Sequence, residues 1–224
     1  RSCSSLKTLD VSGFNTSKNT SFGDTFSGCE SLEELDVSGF DTRSAQYFNG
    51  TFRGCRKLKK LDVSGFDMSE AVNTSDMFNG CSSVTELDVS GFRTSSLEDM
   101  SYMFSSINVP HLDLSSFDFS CATNMRGMFN YCKTDSLVLS GIHAPNLTNA
   151  YMMFFQTNTK SITIKDLECH KGCTFSNMFN QSTVEKITLT NFNGANGSDM
   201  SYMFNSCRHL KKLILDNFST DNVQ

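Results

Sequence analysis

The hexapeptide LDVSGF occurs at Leu9, Leu35, Leu61 and Leu87. Looser copies follow as LDLSSF at Leu112, LVLSGI at Leu137, ITIKDL at Ile162, ITLTNF at Ile187 and LILDNF at Leu213. Successive starts lie 26, 26, 26, 25, 25, 25, 25 and 26 residues apart. A second motif, MF or TF, keeps the same beat at Phe26, Phe52, Phe78, Phe104, Phe129, Phe154, Phe179 and Phe204. A fixed period of this length restricts the chain to stacked copies of one unit, because a single unit cannot bury its own apolar face.

The columns of this array define its interior. Eighteen of the 20 Phe and nine of the 11 Met fall in the hexapeptide's last position, the MF pair, or the position three or four residues before the MF Phe. They are expected to stack as core. Within the hexapeptide, Leu35 and Val37 alternate with Asp36 and Ser38, the period-two pattern of a half-buried strand. Leu97, Met100, Met103 and Phe104 follow three- and four-residue spacing behind Glu98 and Asp99, which predicts one or two turns of α or 3-10 helix. The expected fold is a single repeat solenoid over residues 1–224. Its parallel β-sheet would have about nine strands, with short helical turns on the other side. On a strand spacing of ~4.8 Å the sheet would run about 40 Å. Both ends break off inside the pattern, Arg1 in a loop and Gln224 before an expected turn. Solenoids need polar caps, so further repeats or capping segments are expected, as is end-to-end self-association of the uncapped array.

The unit SLxxLDVSGFDTS…MxxMFxGC resembles the roughly 25-residue repeats of BspA-like leucine-rich-repeat surface proteins of mycoplasmas, other bacteria and protists. Leu32, Leu35 and Val37 match the LxxLxL strand half of a leucine-rich repeat. The resemblance covers essentially the whole chain. It implies a solenoid at the cell surface that adheres to host or neighbouring-cell proteins. One departure stands out. Ordinary leucine-rich repeats carry an Asn or Cys after the strand to tie successive turns, and here Phe40 and its equivalents take that place.

The net charge of −5 argues against a nucleic-acid partner, and no apolar run is long enough to span a membrane. No phosphate-binding loop is present, and the four histidines occupy different columns, so a non-catalytic chain is expected. Cys3, Cys29, Cys55, Cys81, Cys132 and Cys207 share a column in which Ile107, Thr157 and Ser182 also stand. That interchange points to small buried thiols rather than disulfides. Cys169, His170 and Cys173 do not follow a standard zinc spacing, so no metal site is assigned there.

The outward strand column reads Asp10, Asp36, Asp62, Asp88, Asp113, Val138, Thr163, Thr188 and Ile214. Adjacent carboxylates ~5 Å apart repel. Hydrogen bonds to Ser, Thr or backbone would offset that, and so would a cation, Ca²⁺ above all, or a basic partner. Residues 1–112 carry 10 Lys/Arg against 15 Asp/Glu, and residues 113–224 carry 9 against 9. Bulk outside the core columns gathers in the middle repeats at Phe119, Tyr131, Met152 and Phe155. These four and the carboxylates Asp36, Asp62, Asp88 and Asp113 are the candidate contacts for a protein or glycan ligand. The competing reading is a spacer whose repeats only extend a stalk.

Overall fold

The chain is described by a computed structural model over residues 2–170, 172–194 and 197–220. Arg1 and Gln224, where the repeat pattern predicts continuation, lie outside the described residues. The fold is a parallel β-solenoid. Its strands are β1 (Ser136–Leu139), β2 (His143–Ala144), β3 (Ser161–Lys165), β4 (Glu168–Cys169), β5 (Cys173–Thr174), β6 (Lys186–Thr190), β7 (Gly197–Asp199) and β8 (Lys212–Asp216). The principal sheet has the order β1-β3-β6-β8, all parallel, with β2-β4 and β5-β7 as two-stranded companions.

The expected nine-strand sheet is therefore confined to its last four copies. Two sequence properties set that boundary. β1, β3, β6 and β8 place Val138, Thr163, Thr188 and Ile214 in register on the outer face, with Leu137, Ile162 and Ile187 buried beneath and their counterpart Leu213 exposed in the last strand, and β-branched residues suit a pleated ladder. The first five copies carry Asp instead. Each of these carboxylates accepts from the backbone N–H two residues on, at 2.9–3.0 Å. Such a local bond holds the backbone in a turn and competes with ladder formation. In the same copies the chain folds back at once, with Phe40 N–H donating to Val37 O at 3.0 Å and Phe66 N–H to Val63 O at 2.9 Å.

The opposite side is bonded from rung to rung along the array. Single bridges link Ser21, Tyr47, Asn73, Asp99, Asn124, Asn149 and Thr174 in succession. The expected helical turn at Leu97–Phe104 does not form, and no helix element occurs among the described residues. Its backbone explains why. Tyr102 and Ser106 have φ of 55° and 57°, left-handed conformations that interrupt a right-handed helix. Met103 N–H closes a tight turn on Met100 O, while Tyr102, Phe104 and Ser106 N–H groups reach Arg126, Met128 and Asn130 carbonyls in the next rung. Every described rung repeats this arrangement, with positive φ two residues before and two residues after the MF Phe, from Asp24 and Gly28 to Tyr202 and Ser206.

One hydrophobic core runs through the array. Its axis is an unbroken stack of eight MF phenylalanines, Phe26 to Phe204. Ring centroids lie 5.7–5.9 Å apart up to Phe129 and 5.2–5.4 Å apart beyond it. The stack tightens where the sheet begins.

The tie between rungs also sits in an unexpected column. Two residues after each of the first seven hexapeptides stand Thr16, Thr42, Met68, Thr94, Phe119, Ala144 and Cys169, all buried. Thr16 Oγ1 accepts from Asp41 N–H at 2.8 Å, Thr42 Oγ1 from Asp67 N–H at 2.8 Å, and Thr94 Oγ1 from Asp118 N–H at 2.7 Å. Thr42 and Thr94 donate in turn to the Asp67 and Asp118 carbonyls. Each buried hydroxyl thus satisfies a backbone N–H and, at Thr42 and Thr94, a backbone C=O of the next rung, as buried polar groups require.

Candidate functional site

The left-handed pair around each MF Phe forces the neighbouring side chains outward. Over the first three rungs these outward positions are small or polar: Asp24, Gly50, Asp76, and Gly28, Gly54, Gly80. In the next three rungs Tyr102, Tyr131 and Met152 bring bulk to these columns. Tyr102, Gly127 and Met152 fill the first left-handed column, and Ser106, Tyr131 and Gln156 the second. A non-Gly residue held there costs roughly 1–2 kcal/mol. Tyr102, Tyr131 and Met152 therefore hold a conformation that Gly would adopt without steric penalty.

These side chains meet. Tyr131 is 50% exposed and sets its ring edge-on against Phe155, with centroids 5.8 Å apart and planes at 81°. Arg126 lies between two rings of adjacent rungs, its guanidinium carbon 5.8 Å from the Tyr102 centroid and 5.1 Å from that of Tyr151. Its Nε–H donates to the Tyr102 hydroxyl at 2.9 Å. A Cβ on Gly127 would run into the Tyr102 ring, so this glycine provides both the backbone turn and the space for the ring. Tyr131 with Phe155 and Arg126 with Tyr102 and Tyr151 are thus two contact groups, and together with Met152 they make up the aromatic-rich turn side of three adjacent rungs, called the aromatic face below.

Of the four bulky residues expected to mark the ligand surface, Tyr131, Met152 and Phe155 lie on this face. Phe119 does not. It is 2% exposed and packs against Phe117, because it occupies the buried column of Thr42 and Thr94. It is a core residue, and its apparent isolation in the sequence came from assigning that column to the outside. Tyr102, Arg126 and Tyr151 were missed. Their signal was present in the positions flanking MF, which change from Gly, Asp, Asn and Ser to Tyr and Arg in these rungs.

Asp36, Asp62, Asp88 and Asp113 sit on a different side, exposed along the hexapeptide corner. Ser38, Ser64 and Ser90 hydroxyls donate to the first three at 2.6–2.7 Å, in addition to the backbone bonds. Ser38, Ser64 and Ser90, and Ser115 at Asp113, hold the four carboxyls below the ordinary Asp value through their hydrogen bonds, and the repulsion of Asp62 by Asp88 and Asp36 is a smaller opposing effect. Among the described residues no three His, Cys, Asp or Glu side chains converge on a point where a metal ion could sit.

All nine cysteines are thiols. Cys55, Cys81 and Cys207 donate to Phe26, Phe52 and Phe179 carbonyls one rung back, at 3.2, 3.1 and 3.0 Å. Thr157 makes the same bond to Phe129 at 2.7 Å, which accounts for the interchange of Cys and Thr in this column, while the Ser182 hydroxyl pairs with Cys207 at 3.5 Å. Cys169 and Cys173 are buried neighbours, and a hydrogen bond between them pulls the Cys169 thiol down and pushes the Cys173 thiol up.

Clefts between rungs open on the hexapeptide side. One is lined by His111, Asp113, Ser115, Ser136 and Val138, where the Asp column ends and β1 begins. No helix among the described residues is long and apolar enough to cross a membrane.

The geometry thus defines a parallel β-solenoid of 25–26-residue repeats with an aromatic face on its turn side. The family described as "Mycoplasma protein of unknown function, DUF285" matches residues 1–86, 57–167 and 146–224, and the chain belongs to that family. No curated protein and no solved structure matches the chain.

Proposed function

We propose that this chain is a non-enzymatic cell-surface binding module that adheres to a host or neighbouring-cell protein through the exposed turn side of its solenoid. One observation carries the reading. Six bulky side chains cluster on three adjacent rungs, and three of them, Tyr102, Tyr131 and Met152, are held at positive φ. Tyr, Phe, Met and Arg are the residues that anchor protein interfaces, and strain of this kind gathers at functional sites. None of the clefts described above is lined by these side chains, and a flat face suits a protein better than a small ligand.

The finer family reading is a BspA-like leucine-rich-repeat protein. The LxxLxL match and the membership in a mycoplasma family support it. So does the threonine ladder, which ties successive rungs as the post-strand Asn of a leucine-rich repeat would.

The test is immobilised chain probed with a panel of host matrix proteins and glycans, with and without EDTA. Saturable binding that is lost in a Tyr131→Ala/Phe155→Ala variant is expected. Binding indifferent to those changes would move the site elsewhere. Binding to nothing would favour the spacer, a reading that the uniform turn side of the first three rungs supports. Loss of binding in EDTA would return attention to the Asp column and calcium.

A further inference from the structure

We infer that Arg126, clamped between Tyr102 and Tyr151, is a carboxylate-binding anchor that takes an Asp or Glu side chain from a protein partner; this rests on the turn side being the binding face. Arg126 is exposed, yet its position is fixed by three contacts. Two rings flank the guanidinium and the Tyr102 hydroxyl accepts from Nε–H. Among the described residues no carboxylate pairs with it, whereas Arg43, Lys59 and Lys211 each find one, in Asp41, Glu33 and Glu185. The remaining guanidinium N–H groups form the planar fork that receives a carboxylate with two parallel bonds. Holding the fork in advance lowers the ordering cost of binding.

The surroundings select the kind of carboxylate. The other residues of the face, Tyr131, Met152 and Phe155, carry no charge, so Arg126 is its single cation. An acidic side chain flanked by apolar or aromatic residues complements that arrangement in both charge and shape. Lysine could not replace the arginine, because an ammonium neither stacks between two rings nor offers a planar fork.

The experiment uses the whole chain and two matched arrays of 12-residue peptides. One array carries Asp or Glu at a fixed central position among varied aromatic and aliphatic residues, and the other carries Asn or Gln there. The acidic array is expected to bind about tenfold more strongly. Arg126→Gln should abolish that difference, Arg126→Lys should restore only part of it, and the thermal midpoint of both variants should match that of the parent. Tyr131→Ala/Phe155→Ala should weaken binding to both arrays. Equal binding of the two arrays that is lost in the Tyr131/Phe155 variant would overturn the anchor and leave the binding face standing. Failure of both arrays to bind would overturn the anchor and remove support from the face. Arg126-dependent capture of carboxylated oligosaccharides, with none of acidic peptides, would overturn the protein assignment.

Discussion

Asp36 receives two hydrogen bonds from Ser38 on one carboxylate oxygen, from the backbone N–H at 2.9 Å and from the hydroxyl at 2.6 Å. The same pair recurs at Asp62 with Ser64 and at Asp88 with Ser90. The Asp of the hexapeptide is thus a local turn-former, and where Val138 replaces it, β1 begins. Replacing Asp36, Asp62 and Asp88 together by Thr, the residue at 163 and 188, should let a parallel ladder form among these three copies. Hydrogen exchange is the direct readout: amides 36–38, 62–64 and 88–90 should slow, and the β signal in circular dichroism should rise. Exchange as fast as in the parent chain would show that something other than the Asp–Ser pair keeps these rungs open.

Acid should loosen the same corner. Asp36, Asp62 and Asp88 are pulled below the ordinary value of 3.8 chiefly by their serine bonds, and Asp41 is lowered to about 2 chiefly by its Arg43 partner. A carboxyl with a lowered folded value binds protons more readily when unfolded. Its contribution is therefore complete above about pH 4 and is lost as pH falls through the folded values. The thermal midpoint should drop below pH 4. In a triple Asp→Asn variant at positions 36, 62 and 88 the acid slope should flatten, since the amide keeps an acceptor oxygen and does not titrate. An unchanged slope would place the acid sensitivity elsewhere.

The repeat made the columns of the core legible before any coordinates, because eight Phe at one spacing have only one way to be buried together. Two things were not legible. The hexapeptide alternates like a strand in seven of its nine copies, with Asp or Thr between apolar residues, and periodicity carries no information on whether Asp36 bonds to its own turn or leaves the backbone to its neighbour. The MF segment has helical spacing, but Gly28, Gly54 and Gly80 recur two residues after the Phe, and that column was the evidence for a left-handed turn. Missing it hid the outward course of Tyr102, and with it the neighbouring Arg126 and Tyr151, half of the aromatic face.

Left-handed positions give opposite predictions at two sites of one column. Gly54 has φ of 73°, and an added Cβ would stand 3.8 Å from Gly28, so there is room and only the backbone objects. Gly54→Ala should cost about 1 kcal/mol. Ser106 holds φ of 57° in the same column, and Ser106→Gly should stabilise by about 0.5–1 kcal/mol once the greater freedom of unfolded Gly is included. Urea denaturation of both variants measures the pair. A destabilised Ser106→Gly would mean that the serine makes contacts worth more than its backbone strain.

Thr42 spans two rungs with one hydroxyl, accepting from Asp67 N–H at 2.8 Å and donating to Asp67 O at 3.0 Å. Thr42→Val keeps the shape and leaves both partners without it, which should cost about 1–3 kcal/mol. Thr42→Ser keeps the hydroxyl and should recover most of that loss, with the remainder due to the missing methyl. Equal stability of the Val and Ser variants would show that the column matters for packing alone.

The cysteine column tests the interior chemically. Burial pushes the Cys55 and Cys132 thiols up to about 12 and Cys81 well above its ordinary value of 9.0. At pH 8 a thiol titrating near 12 is ionised to an extent on the order of one part in ten thousand, and the thiolate is the reactive form. A thiol reagent at pH 8 should therefore modify the folded chain at Cys3 and Cys121, which solvent reaches. It should spare Cys55, Cys81 and Cys132 until the chain is unfolded. Because Cys81 donates to the Phe52 carbonyl, Cys81→Ser should fold with stability close to the parent, since the Thr157 hydroxyl already makes the equivalent bond in the same column three rungs on, while Cys81→Ala should lose about 1 kcal/mol. Rapid labelling of Cys55 or Cys81 in the native chain would mean that rungs open locally, and that the phenylalanine stack beside them is not closed along its length.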